Sequence, residues 1–149
     1  MNAVDRLVAI EDIKQLKARY FRAVDSKNWQ TLEAVFAPDA HFDISDDVPG
    51  CVINGAAEIL RVVVPSLTSA VSVHHGHCPE IEIVSGTMAN GIWAMEDTLR
   101  WAEGSNSPIK SLHGYGHYFE TYRRINGLWR IQSLRLKRLR VDIETWHPA

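Results

Sequence analysis

Cysteine is scarce in this chain, with only Cys51 and Cys78 among 149 residues. Two cysteines are too few for a disulfide framework, and their spacing matches no zinc motif. Long apolar runs are also missing: no stretch approaches the roughly 20 residues that a membrane span requires. The amino-terminal segment MNAVDRLVAIEDIK contains acids and does not resemble a signal peptide. We therefore expect a cytoplasmic protein with reduced thiols and no membrane partner.

Excess charge of one sign is missing as well. A net charge of −2 gives no global attraction to nucleic acid or anionic membranes, so neither is predicted as a partner. The chain also contains no internal repeat, linker or low-complexity segment. Its length is that of one ordinary domain, and 46% hydrophobic with 23% charged residues is typical of a globular protein. We predict a single domain over residues 1–149.

Helical periodicity dominates the first half of the sequence. Apolar residues recur at helical spacing over residues 4–24, with Lys17 among the polar positions between them. A second, shorter helix is predicted to be capped by Asn28 and to stop near Pro38. A third helix is predicted over residues 56–64, bounded by Pro65.

The period changes to two from Ala70 onward, which predicts strands. After a short strand at Ala40–Ile44, strands are predicted at Val71–His77, Glu80–Val84, Ala89–Trp101, Lys110–Arg124 and Leu128–Val141. Hairpin turns are predicted at residues 104–107 and 126–127, and a slip in parity between Ile131 and Leu134 predicts a bulge. Helices followed by long antiparallel strands predict an α+β domain, a curved antiparallel sheet whose helices close an internal cavity.

Asp97 is the clearest anomaly in the predicted strands. Its alternating neighbours on one face are Trp93, Met95, Leu99 and Trp101, so a carboxylate shares a face with four large apolar groups. One interpretation is a partly covered face with Asp97 at a wet rim. We favour a functional carboxylate, because such groups in apolar pockets are used in catalysis.

Three histidines fall close together in the predicted strand at residues 71–77. His75 and His77 share one face, and His74 points to the other with Ser72. A metal site would combine His75 and His77 with His113 or His117. This hypothesis lacks a carboxylate ligand at fixed spacing, so no metal is predicted. The alternative is that some of these histidines are only hydrogen-bonded within the sheet.

A second group of aromatic and imidazole side chains occupies one face of the strand at residues 110–124. It consists of His113, Tyr115, His117 and Phe119. These side chains are equally compatible with the lining of a pocket for a flat ligand and with ordinary core packing. Gly114 and Gly116 lie on the opposite face, where they would let a helix or a neighbouring subunit pack closely.

Two further charged residues have alternative interpretations. Arg138 shares parity with two leucines, so it is either a snorkelling edge residue or a fixed cation that anchors an acidic group. Asp25 ends the first amphipathic segment, about 140 degrees around an ideal helix from Tyr20. From spacing alone, a turn-forming role for Asp25 is favoured over a catalytic one.

Several segments together carry a family resemblance. The runs AIEDIKQLKARYFRAVDSKNWQTLEAVFAPDA, HHGHCPEIEI, GIWAMED and YRRINGLWRIQSLRL resemble the SnoaL-like branch of the nuclear-transport-factor-2 superfamily. The resemblance implies a cone-shaped α+β barrel with an internal pocket. Within that branch the chain is most similar to bile-acid 7-alpha-dehydratases, and more distantly to scytalone dehydratases and hexachlorocyclohexane dehydrochlorinases.

The resemblance also implies a site. The positions that match the catalytic residues of those enzymes are Tyr20, Asp25, His74, Asp97 and Arg138. We predict that the substrate pocket adds His113, Tyr115, His117, Phe119 and Trp93. The implied assembly is a homo-oligomer, a trimer or a dimer.

The implied reaction is elimination of water or another leaving group from a hydrophobic, cyclic small molecule. His74 would be the general base, oriented by Asp25; Tyr20 and Asp97 would hydrogen-bond a carbonyl or departing hydroxyl. A protonated Asp97 would be able to donate, and Arg138 would hold Asp97 or an oxyanion. No cofactor is predicted. The alternatives are an isomerase or hydrolase on the same scaffold, and a non-catalytic binding or accessory subunit.

Overall fold

The computed structural model describes residues 1–146, which form three helices and six strands. In chain order these are α1 Ala3–Asp25, α2 Trp29–Val35, β1 Phe36–Asp43, β2 Val52–Asn54, α3 Ala56–Leu67, β3 Ala70–Ile83, β4 Met88–Trp101, β5 Ile109–Ile125 and β6 Leu128–Thr145. The predicted α+β class is confirmed. No helix in the described residues is long and apolar enough to cross a membrane.

The six strands form one curved sheet in the order β2-β1-β6-β5-β4-β3. All neighbouring strands are antiparallel except β1 and β6, which run parallel, so the sheet is mixed. The outer strands β2 and β3 do not pair with each other, which leaves a cone-like sheet that is not closed. The helices lie against its concave face, where the core residues gather.

Helix α1 packs on the sheet through one stripe of its surface. Asn2 and Asp5 form a capping box at its start, which satisfies backbone N–H groups that have no partner within the helix. The buried stripe begins at Ala9 and continues to Val24. Val4 and Leu7 belong to the same helical periodicity, but both are 67% exposed and nothing in the described chain covers them.

The predicted helix end near Pro38 is confirmed, whereas the predicted helix end at Pro65 is wrong. Helix α2 ends before Pro38, which lies inside β1 where the pairing with β6 is irregular. Helix α3 continues through Pro65 for its last residues. Pro65 costs only one backbone hydrogen bond there, and the hydroxyls of Ser66 and Thr68 donate to carbonyls of the same turn.

Bulges bend the long strands. The two strands predicted on either side of Cys78 are one strand, β3, with a register shift between His77 and Glu80 and a positive φ of 41° at Cys78. In β6 the pairing skips Gln132, which confirms the predicted bulge, and a second skip occurs at Leu139. Each extra residue increases the local bend, so the sheet curls around a central cavity.

A buried ion pair connects α1 to the middle of β5. Lys17 and Glu120 form this pair with fully buried side chains, so the prediction of Lys17 as a polar-face residue is wrong. Burial lowers the pKa of Lys17 despite the opposing attraction of Glu120. Glu120 also accepts a hydrogen bond from the Tyr122 hydroxyl, which in turn accepts one from the Trp93 indole. The pair compensates two charges that would otherwise be isolated in the core.

We expect Lys17→Met to lower the free energy of unfolding by about 3–5 kcal/mol, because it leaves the Glu120 carboxylate buried without its cation. The double variant Lys17→Met/Glu120→Gln should be more stable than the single one, since neither buried group is then charged. Urea denaturation measures both. The control is Arg61→Met, which breaks the exposed Arg61–Glu58 pair and should have little effect. Equal losses in the single and double variants would contradict this role.

Candidate active site

A cavity of about 480 Å³ lies between the concave face of the sheet and the three helices. This volume falls within the range of small-molecule sites. Most of the wall is apolar and is contributed by all parts of the fold, including Phe36, Phe42, Ile59, Val63, Leu99 and Leu136. Such a wall excludes water and favours a ligand with an apolar body.

A small set of polar side chains interrupts this apolar wall. The central ones are Tyr20, His74, Asp97, Tyr118 and Arg138. His74 on β3 and Asp97 on β4 are directly opposite each other in the sheet register, so both project into the cavity side by side. Four of the five positions predicted as catalytic therefore line one cavity, and the fifth, Asp25, lies behind His74.

Asp25 and His74 form a hydrogen-bonded pair that joins the end of α1 to β3. The Asp25 Oδ1 atom lies 2.7 Å from Nδ1 of His74, and Oδ2 accepts the His74 backbone N–H at 2.8 Å. Ser72 donates its hydroxyl to the same carboxylate at 3.0 Å, while Lys27 donates to Ser72. The turn-forming role that spacing favoured for Asp25 is thus wrong: its carboxylate bonds the sheet and not the turn.

The environment of Asp25 fixes the tautomer of His74. Burial raises the pKa of the Asp25 carboxyl, but hydrogen bonds from His74 and Ser72 and the attraction of His74 outweigh it, so the pKa is lowered overall. An ionised carboxylate can only accept, so Nδ1 of His74 must donate. In the neutral ring Nε2 then carries the free lone pair, and no hydrogen bond to it is found within residues 1–146. The pair can therefore act as a general base.

Arg138 binds Asp97 from the side of β6. Its Nη1 and Nη2 donate to the two Asp97 oxygens at 2.8 and 2.9 Å, and its Nε and Nη2 donate to Asp47 at 2.7 and 2.9 Å. The remaining Nη1 hydrogen points toward the Met95 sulfur. All N–H groups of the guanidinium are thus used within the protein. Arg138 is a positioning residue for Asp97, with no donor left for an oxyanion.

Gly114 makes room for this ion pair. It is opposite Asp97 in the β4–β5 register, and a Cβ atom at this position would clash with both the Asp97 carboxylate and the Arg138 guanidinium. The prediction that Gly114 admits a helix or a neighbouring subunit is therefore wrong. A glycine is needed at this position because any larger residue would prevent Asp97 and Arg138 from meeting on the concave face of the sheet.

Tyr20 and Tyr118 form a second polar group on the cavity wall. Their ring centroids are 6.4 Å apart, and the Lys17 ammonium lies 4.1 and 3.9 Å from the two centroids. Burial, followed by repulsion from nearby carboxylates, raises the pKa of Tyr20 far above its usual range, and burial does the same for Tyr118. Both hydroxyls therefore stay protonated, and a side-chain hydrogen bond between them leaves one O–H as a donor to a ligand.

The comparisons with known proteins agree with this fold. The SnoaL-like domain model matches residues 5–135. The chain belongs to the SnoaL-like family. Among curated proteins it is 23% identical over 137 residues to "Probable cyclase FGR4" of Gibberella zeae, a match that covers 85% of this chain and 89% of that protein.

Solved structures of similar shape include the following two. A scytalone dehydratase-like protein from Novosphingobium aromaticivorans superposes with a TM-score of 0.84 at 20% identity, covering 99% of this chain and 94% of the other. Hexachlorocyclohexane dehydrochlorinase LinA-type3 from Novosphingobium barchaimii LL02 gives 0.80 at 20% identity, with 99% and 100% covered. These likenesses show the cone-like fold. The finer resemblance to bile-acid dehydratases stays a prediction.

The predicted pocket face of β5 is wrong. His113, Tyr115, His117 and Phe119 point away from the cavity, on the convex side of the sheet, and none of them lines it. The opposite face, with Tyr118 and Glu120 buried, points inward. The physical reason is the register: residues opposite each other across a hairpin share a face, and Asp97 is opposite Gly114.

The prediction that Trp93 lines the substrate pocket is also wrong. It lies on the concave face as expected and is 5% exposed, but it does not line the cavity. Its ring packs beside Gly76, and its indole nitrogen donates to Tyr122 at 2.8 Å. Trp93 is therefore a core residue of the SnoaL-like domain beneath the site.

Sequence reasoning missed Tyr118, Asp47 and the Lys17–Glu120 pair. A signal for Tyr118 was present, because Asp97 and Gly114 are equally distant from the predicted turn at residues 104–107. That symmetry places the even-numbered positions of β5 on the face of Asp97. Asp47 comes from an irregular loop, and no periodicity could have indicated that it reaches Arg138.

We expect the stabilising effect of the Asp25 carboxylate to depend on pH. Because its folded-state pKa is lowered below 3.8, its contribution is present above the unfolded pKa and is lost as the pH falls through the folded one. Asp25→Asn should therefore be clearly less stable than wild type at pH 5, and this difference should shrink toward pH 2. Chemical denaturation at stepped pH tests this, with Asp12→Asn on the exposed side of α1 as control. A difference that does not change over this range would contradict the pairing.

We expect Gly114→Ala to lower the free energy of unfolding by about 1–3 kcal/mol through overpacking against Asp97 and Arg138. Gly86→Ala is the matched control, because a Cβ there would have no neighbour closer than 3.9 Å. Thermal and urea unfolding of both variants measure the contrast. Equal stability of the two alanine variants would show that the ion pair does not need the space at Gly114.

Proposed function

We propose that this SnoaL-like protein is a cofactor-independent lyase of the dehydratase type. It would remove a proton from a carbon atom and expel water, or another leaving group, from a hydrophobic cyclic small molecule. The observation that carries this proposal is the Asp25–His74 pair at the wall of an apolar cavity, with an imidazole nitrogen free to accept a proton.

The proposed reaction starts with His74. Its Nε2 atom takes the proton, and Asp25 stabilises the imidazolium that forms on the Nδ1 side. The electrons of the broken C–H bond form a double bond as the C–O bond breaks, and the departing hydroxide takes the proton from His74 to leave as water. The atoms balance without an external reactant, which is why no metal or organic cofactor is included.

The other polar groups would position the substrate. The hydrogen-bonded Tyr20–Tyr118 pair, kept protonated by burial, would donate its free O–H to a carbonyl next to the reacting carbon and so stabilise negative charge there. Asp97 would accept from a substrate hydroxyl, since both of its oxygens already accept from Arg138 and retain lone pairs. The two bonds from Arg138 favour Asp97 as a hydrogen-bond acceptor over its alternative role as a protonated donor.

Two alternatives are less well supported. An isomerase or hydrolase could use the same pair without net loss of water. A non-catalytic accessory subunit would have no need for convergent polar groups, and Tyr20, His74, Asp97 and Arg138 all face one cavity. The predicted homo-oligomer and cytoplasmic location stay predictions.

We expect His74→Ala to abolish turnover and Asp25→Asn to lower kcat by about 10²–10⁴-fold, the usual contribution of a positioned acid–base group. The assay offers a panel of cyclic β-hydroxy ketones and follows product mass, since loss of water identifies elimination. His117→Ala on the convex face is the control and should keep full activity. If the His74→Ala variant still turned over substrate, His74 would not be the general base.

Product mass also separates the alternatives. A product of unchanged mass would indicate an isomerase, and a product with added water a hydrolase. If no member of the panel is converted, direct binding should be measured by calorimetry with the same compounds. Tight binding without turnover would favour the accessory-subunit hypothesis.

A further inference from the structure

The convex face of the sheet carries a cluster of metal-ligating side chains that the cavity chemistry does not use. His75 and His77 are separated by Gly76 on β3, so both project outward, opposite to His74. Glu96 on β4 is directly opposite His75 in the register. One ligand atom from each of these three residues lies within 4.8 Å of the others. We propose that His75, His77 and Glu96 bind a Zn²⁺ ion.

The spacing of the ligand atoms fits a shared ion better than a direct contact. His75 Nδ1 and Glu96 Oε1 are 3.6 Å apart, which is too long for a hydrogen bond. Ligands at about 2.1 Å from a tetrahedral zinc lie about 3.4 Å from one another. The observed separation therefore matches one edge of such a tetrahedron. The ring centroids of His75 and His77 are 5.9 Å apart. A small rotation of the exposed His77 ring would bring its nitrogen to the third ligand position.

The donor set selects the class of metal. Two imidazoles and one carboxylate suit zinc and similar transition metals, whereas Mg²⁺ and Ca²⁺ require shells made mainly of oxygen. Three protein ligands leave a fourth position for water. The cluster is open to solvent, with the His75 side chain 56% exposed, so an ion can enter without any movement of the backbone.

His113 supports the cluster from β5. Its Nε2 atom lies 4.0 Å from Oε2 of Glu96, the oxygen that does not face His75. This nitrogen is buried and has no hydrogen-bond partner within residues 1–146. The ring is held by stacking on Tyr115, with centroids 4.5 Å apart. At the 4.0 Å distance from Glu96 there is no hydrogen bond, so His113 would orient the carboxylate, as groups behind metal ligands commonly do, once a bound ion draws the two groups together.

The sequence pattern contained half of this site. The His75–Gly76–His77 spacing indicates a possible pair of metal ligands, but the sequence shows no carboxylate at a fixed spacing from that pair. Glu96 joins the pair only through the β3–β4 pairing. The sheet separates this cluster from the cavity, so the zinc proposal does not depend on the proposed lyase activity.

Isothermal titration of Zn²⁺ into tag-free protein stripped with chelator tests the proposal. We expect one Zn²⁺ per chain and no heat from Mg²⁺. His75→Ala, His77→Ala and Glu96→Gln should each weaken zinc binding by about 100-fold or more. His113→Ala should cost about 10–100-fold, as expected for a group behind a ligand. His117→Ala, on the same face but outside the cluster, should bind like wild type.

A second measurement distinguishes the loss of a zinc ligand from the misfolding of a variant. Zn²⁺ should raise the thermal unfolding temperature of wild type and of His117→Ala, because it binds only the folded state, and should not do so for Glu96→Gln. Circular dichroism of each metal-free variant confirms its fold. Zinc affinity that is unchanged in His75→Ala and Glu96→Gln, or equally weakened in His117→Ala, would overturn the site.

Discussion

The hydrogen bonds of the Asp25 carboxylate hold helix α1 against the sheet, and both the cavity and its proposed chemistry depend on them. It accepts three hydrogen bonds from β3: the Ser72 hydroxyl, the His74 backbone N–H and the His74 ring. Helix α1 covers the cavity, and β3 is an edge strand with a neighbour on only one side. The same three bonds therefore fix the end of the helix, the edge of the sheet and the tautomer of the imidazole.

Two further sets of buried charged side chains are each paired with groups of opposite sign. Lys17 meets Glu120 in the core, and Arg138 lies between the carboxylates of Asp97 and Asp47 at the cavity wall. An unpaired charge at these sites would be costly, so each pair fixes the position of the elements that carry it. At the otherwise apolar cavity wall, Arg138 holds Asp97 and Asp47 at defined places, which suits the proposed substrate site.

Alternation along the strands divides the sheet into two chemical surfaces. On β3, His74 faces the cavity while His75 and His77 face outward; on β4, Asp97 faces inward and Glu96 outward. A slip of one residue would exchange the two sets. The proposed base and the proposed zinc ligands therefore come from neighbouring residues of the same strands. The bulge in β3 begins directly after His77.

The sequence alone determined most of the helices and strands, though not β2, and the family resemblance brought Tyr20, Asp25, His74, Asp97 and Arg138 together. Period-two segments and the long amphipathic helix follow from local patterning, and a carboxylate among large apolar residues marked Asp97 as unusual. The tertiary structure decided which face of β5 is internal, where Lys17 lies, and that Asp25 bonds His74 across the fold. It also decided that Arg138 serves Asp97 and that Glu96 joins His75 and His77. These facts depend on strand register and on contacts between residues distant in the chain, which local periodicity does not encode.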